Sequence, residues 1–129
     1  MALGLKQREK EGAKPLPTRH FSKLQEDAVA KATGGRRTPN SGATAFGGKS
    51  DVNVANLFSL ECKTKTSSSE SISIKKAWIY KNRREAVADG HPYSAVVFNF
   101  GPDEENHYII DEYLFLELLD HLNSLEENI

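Results

Sequence analysis

Asp51, Glu61 and Lys63 carry the strongest chemical signal in this 129-residue chain. They stand on two segments whose side chains alternate with period two. Val52, Val54, Phe58, Leu60 and Cys62 form one set, and Asp51, Asn53, Ser59, Glu61 and Lys63 form the other. A hairpin turning at about Asn56 pairs 54 with 58, 52 with 60 and 51 with 61. That register keeps every apolar residue on one face, whereas a slip of one residue mixes the faces. It sets Asp51 opposite Glu61, with Cβ atoms roughly 5 Å apart. Two carboxylates that close repel unless a cation lies between them, and Mg²⁺ commonly takes one or two carboxylates, water and a substrate phosphate. Lys63 projects to the same side as Glu61. There it can stabilise charge developing on a phosphate or position an attacking water. A Glu-x-Lys on a strand is by itself a common solvated surface pair; the opposed Asp51 and the glycine-rich entry at Gly47-Gly48 weigh against that plainer reading.

Around this hairpin the spacing predicts the elements that must position it. Ser22 and Gln25 form a capping-box pattern, and Phe21, Leu24, Ala28 and Ala32 fall on one helical face, so a first helix is expected over about 22–33. Gly34-Gly35 ends it, and the stretch from Thr38 to Gly48 reads as a long, basic, mobile loop. Ile74, Ala77, Trp78 and Lys81 predict a second helix over about 73–89, ended by Gly90 and Pro92. Residues 94–100 and 107–111 read as two more strands. Leu114, Phe115, Leu118, Leu119, Leu122 and Leu125 make a C-terminal amphipathic helix. The fold class expected is α/β, a mixed sheet flanked by helices in the order α-β-β-α-β-β-α.

Composition narrows the function classes. The length suits one domain with a real core. Residues 1–19 read as a flexible basic arm, leaving 20–129 as the folded domain. The net charge of −1 hides an asymmetry. All 17 Lys and Arg lie at or before Arg84, against 7 acids, while residues 85–129 hold 11 acids and no base. One surface is therefore suited to a polyanion and another is not, although two ordinary solvated faces would share this charge pattern. A single cysteine excludes an internal disulfide, and no Cys/His group has zinc-site spacing. His20, His91, His107 and His121 form no spaced cluster. With no signal-peptide core and no apolar run of membrane length, a cytoplasmic protein that does not enter membranes is expected.

Gly48-Lys49-Ser50-Asp51, nine intervening residues and then Glu61-Cys62-Lys63 resemble the split motif of the PD-(D/E)XK nuclease superfamily. Within it the chain is similar to the small Holliday-junction resolvases of archaeal type and their phage counterparts. The resemblance spans about 22–111. It includes Glu26 in the first helix, the Ala30 to Gly34-Gly35 helix end, a Ser41-Gly42-Ala43 loop, and Ile74, Trp78, Lys81 and Glu85 of the second helix. Ser50 stands where the superfamily name has Pro, a position that varies widely. The resemblance implies a restriction-endonuclease-like fold with a four-stranded mixed core sheet, a homodimer, and Mg²⁺-dependent hydrolysis of DNA phosphodiesters at four-way junctions, with Mn²⁺ able to substitute. Asp51 and Glu61 would be metal ligands, joined by the main-chain carbonyl of Cys62 and, directly or through water, by Glu26. Helical periodicity does not choose between Glu26 and Asp27; the family spacing to Ala30 favours Glu26.

Ser41 matches a loop serine near the scissile phosphate, and it also suits a plain turn in Pro-Asn-Ser-Gly. Arg36, Arg37, Lys49, Lys65 and Lys81 are the expected DNA contacts. Lys81 either snorkels past Trp78 to solvent or points into the cleft. Trp78 and the Cys62 side chain read as core, and Phe100, Phe115 and Leu119 as dimer contact or monomer core. Two other functions share these residues: a nuclease of the same fold acting on linear or flapped DNA, and a non-catalytic basic DNA-binding module.

Overall fold

The computed structural model describes residues 16–39 and 50–127. Ser41, Lys49 and most of the predicted arm lie outside them. Helix α1 spans Thr18–Thr33 and so begins within the stretch expected to be arm. Pro17 explains the start: at φ −67° and ψ 152° it occupies the N-cap, where its fixed φ and lack of an N–H cost nothing. Ser22 is not a cap. It sits inside the helix, and its Oγ donates back to the Thr18 carbonyl at 3.4 Å. The buried face is Phe21, Gln25 and Val29; of the expected apolar set Phe21 is buried, while Leu24 is 42% exposed and Ala28 and Ala32 are exposed too. Gln25 takes the centre of that face because its Nε2 donates to the carbonyls of Lys63 (2.8 Å) and Val97 (3.3 Å) and to Asn106 Oδ1 (3.2 Å). The helix stops at Gly34, whose φ of 72° is left-handed. Gly35 follows because a Cβ there would lie 2.7 Å from the Asn53 carbonyl oxygen.

Next come β1 (Arg36–Arg37), β2 (Val52–Val54), β3 (Phe58–Lys63), α2 (Lys76–Ala88), β4 (Tyr93–Phe98), β5 (His107–Ile109) and α3 (Glu112–Glu127). The sheet has five strands in the order β1-β2-β3-β4-β5, antiparallel except for the parallel β3–β4 pair. The hairpin has the expected register, with Val52 opposite Leu60 and Val54 opposite Phe58. β1 is a strand that the spacing did not predict: Arg36 and Arg37 pair with Asn53 and Val52 and extend the sheet by one short edge strand. The parallel β3–β4 step requires a crossover, which α2 supplies.

α1 packs on one face over a core of Val29, Val52, Leu60, Ala95 and Val97. α2 covers the opposite face through Asn82 and Ala86, one position along from the expected Trp78–Lys81 stripe. α3 meets the domain at its first turns, where Leu114 is buried, Tyr113 donates to the Pro92 carbonyl (3.0 Å), and Arg83 pairs with Asp111 (2.9 Å). Beyond that its apolar side chains are exposed, Phe115 at 56% and Leu122 at 58%. Among the described residues no helix is long and apolar enough to cross a membrane.

Candidate active site

The β2–β3 ladder ends where Asp51 begins. Two residues beyond the Val52–Leu60 pair, the Cys62 N–H donates to Asp51 Oδ2 at 2.8 Å, so a carboxylate replaces the next main-chain acceptor. The Asp51 main chain is held from the other side, its carbonyl accepting from the Thr38 N–H at 2.9 Å. Both backbone and side chain of Asp51 are thereby positioned at the sheet's end.

Glu61 is buried, 7% exposed, on the face of β3 turned toward α2. Lys63 Nζ lies 3.3 Å from its Oε1 and 4.7 Å from the centre of the Trp78 ring. Burial, then the charge of Asp51, pushes the Glu61 carboxyl above the usual carboxylate range, with Lys63 and Lys81 acting in the opposite sense. Glu26 behaves alike: burial and then Asp51 raise it, while Arg37 opposes. Asp51 is thus electrostatically coupled to one carboxyl from α1 and one from β3. A cation would relieve both couplings.

The donor set is hard oxygen, as Mg²⁺ or Mn²⁺ requires. Among the described residues no group of three or more His, Cys, Asp or Glu side chains forms a ready-made metal cage. What fits is the Asp51–Glu61 pair completed by water and substrate oxygens, with Glu26 at its margin. Glu26 is also engaged by Arg37, whose Nε lies 3.5 Å from Oε1, while Arg37 Nη1 lies 3.2 Å from Asp27 Oδ1. Asp27 is half exposed and Glu26 nearly enclosed, which separates the two acids that periodicity left equivalent.

The placement of Asp51 rests on a buried polar cradle that the pattern of apolar residues did not disclose. Ser50 is fully buried, with Oγ 2.9 Å from Asn82 Oδ1 and 3.3 Å from Glu85 Oε2. Asn82 Nδ2 donates to the carbonyls of Ser59 and Ala95, each at 3.0 Å. Asn82 therefore ties α2 to β3, to β4 and to the residue preceding Asp51. Its one legible sign in the sequence was a polar residue four positions after Trp78.

The remaining expected residues divide. Lys81 is exposed, 3.4 Å from Glu85 Oε1, and its ammonium pKa is raised: burial lowers it, but Glu61 and Glu85 more than offset that. It occupies the rim of the site, between the two positions considered for it. Trp78 is half-buried beneath Lys63 rather than enclosed in the core. The Cys62 side chain packs against the core cluster, and burial pushes its thiol far up, away from nucleophile chemistry. Lys65 Nζ lies 3.3 Å from Ser69 Oγ, in the loop after β3. Arg36 is exposed on the edge strand. A cleft of about 560 Å³ adjoins Asp51 and Glu26 and runs along the first half of α1, with Arg19, Lys23 and Arg37 in its lining.

Comparison with family models, with curated proteins and with solved structures returns no match, so the residues and their geometry alone carry the functional reading.

Proposed function

We propose that the chain is a metal-dependent DNA endonuclease of the PD-(D/E)XK type, with a restriction-endonuclease-like fold, acting on four-way junctions as a homodimer. The observation that carries this reading is the convergence of Asp51 and Glu61 at the end of one hairpin, with Lys63 Nζ 3.3 Å from Glu61. Asp51 and Glu61 would hold Mg²⁺ or Mn²⁺, with Glu26 beside them. When bound, such an ion lowers the pKa of a coordinated water and stabilises charge on a phosphoryl oxygen. Lys63, held between Glu61 and the Trp78 ring, presents a cation to the negative charge that builds on the phosphate. Arg37 and Lys81 at the margins add positive potential toward a phosphate backbone.

The dimer part of the reading draws support from α3 and from one groove. α3 carries Phe115, Leu116, Leu118, Leu119, Leu122 and Leu125 exposed, a run of apolar side chains along one helix that suits a protein contact. Its five acids and lack of any Lys or Arg make it unsuited to DNA and leave a protein surface as its partner. The same chain offers an apolar groove of about 370 Å³ lined by Val54, Leu57, Phe58, Tyr108 and Ile110. A second copy supplies both an apolar helix and an apolar groove, and a two-fold pair supplies the two cuts that resolution needs.

The test is cleavage of a labelled four-way junction, beside linear and flapped duplexes of the same sequence, with Mg²⁺, Mn²⁺ or Ca²⁺. Junction cuts lost in Asp51→Asn and Glu61→Gln, with DNA binding retained, are expected. Preferential cutting of linear or flapped DNA would keep the nuclease and replace its substrate. Binding without any metal-dependent nicking would leave a DNA-binding module.

A further inference from the structure

We propose that the first half of α1 is a phosphodiester-binding wall, in which Arg19 and Lys23 hold the sugar-phosphate strand beside the bond to be cut. This deepens the nuclease reading and rests on it. The cleft next to Asp51 is bipolar: Glu26 and Asp51 give it an acidic side, and Arg19, Lys23 and Arg37, with Ser22, give it a cationic and hydroxyl-bearing side. An acidic side alone would repel an anion and a cationic side alone would bind any. Together they suit a phosphate that shares a cation with the carboxylates while its other oxygens meet Arg and Lys.

A second, independent observation comes from the helix itself. Its first turn contains no acid. Stability favours acids at a helix N-terminus, where the macrodipole is positive, and disfavours bases there. Arg19 nevertheless occupies the first turn, and Lys23 follows four residues on, on the same side of the helix. Among the described residues neither is ion-paired with a carboxylate. Arg19 placed against the local preference, and both cations lining the cleft that holds Asp51 without a carboxylate partner among the described residues, are explained by a ligand that brings its own negative charge.

Arg37 adds a consequence for order of binding. It is held by Glu26 and Asp27 across the same cleft. A phosphate entering along the Arg19–Lys23 wall competes for that guanidinium and turns Glu26 toward a cation.

The test compares wild type with Arg19→Ala/Lys23→Ala, using junction DNA in Ca²⁺ for binding and in Mg²⁺ for single-turnover cleavage at saturating enzyme. A Lys31→Ala/Lys76→Ala variant controls for the loss of two surface charges. The wall predicts a salt slope shallower by about 1.8 and affinity weaker by roughly tenfold at low salt, with the saturated cleavage rate changed little. A methylphosphonate placed singly along the cut strand should weaken wild type at one or two positions next to the cut and weaken the double variant no further there. If the double variant keeps the wild-type slope, or remains as sensitive as wild type to every neutralised phosphate, the wall is overturned while the nuclease stands. If wild type binds no DNA, both readings fall.

Discussion

Replacing Asp51 by Asn should stabilise the metal-free protein while removing its response to metal. Asn keeps an acceptor oxygen for the Cys62 N–H now bonded to Oδ2 at 2.8 Å, and it removes the charge that raises both Glu26 and Glu61. Continuing the Val52–Leu60 register places Asp51 opposite Glu61. Two charges about 6 Å apart at an effective dielectric of 20 repel by about 3 kcal/mol. Lys63 at 3.3 Å from Glu61 offsets part of this, so a net gain of about 1–2 kcal/mol is expected, or roughly 3–6 °C in Tm for a domain of this size. The pH dependence follows from the direction of the shifts. Both carboxyls titrate above their ordinary 4.5 when folded, so between that value and the raised one the folded state holds more protons than the unfolded. Wild-type stability therefore falls as pH rises through that window, and the advantage of Asp51→Asn should be small near pH 4 and full near pH 7.5. Mg²⁺ at a hundred times its dissociation constant adds about 2.7 kcal/mol to wild type alone, which reverses the order. Urea melts of both proteins, with EDTA and with Mg²⁺ at three pH values, read all of this. An Asp51→Asn protein less stable than wild type in EDTA at pH 7.5 would refute the repulsion argument.

Asn82→Leu removes the donors to the Ser59 and Ala95 carbonyls and the acceptor of Ser50 Oγ, and should cost about 3 kcal/mol, with Tm lower by roughly 10 °C; a melt within a degree or two of wild type would mean the cradle does not hold the site. Leu118→Lys/Leu122→Lys on α3 should give a monomer in sedimentation that nicks junction plasmids without linearising them, and an unchanged sedimentation coefficient would move the interface elsewhere. Cys62, half-buried against the core and beside Asp51, Glu26 and Glu61, should react with iodoacetamide at pH 8 roughly tenfold or more slowly than in the urea-unfolded chain, and equal rates would contradict its placement.

Apart from the short edge strand β1, the order of the elements and the hairpin that carries Asp51, Glu61 and Lys63 were legible in the sequence, because strand alternation is a local property and one register alone put Val52, Val54, Phe58 and Leu60 on a common face. Other features depended on partners far away in the chain. Gln25 reads as half of a capping box with Ser22, yet it is buried in the helix face that meets the carbonyls of Lys63 and Val97. Ser50 reads only as the residue in place of the motif's Pro and Asn82 carries no signal of its own beyond its place after Trp78, yet 32 residues apart in sequence they meet in the interior. Arg36 and Arg37 form a strand because β2 is there to pair with them. Hydrophobic periodicity reports which residues avoid water. It cannot report which polar groups find buried hydrogen-bond partners, since that is decided when α1 and α2 dock on opposite faces of the sheet.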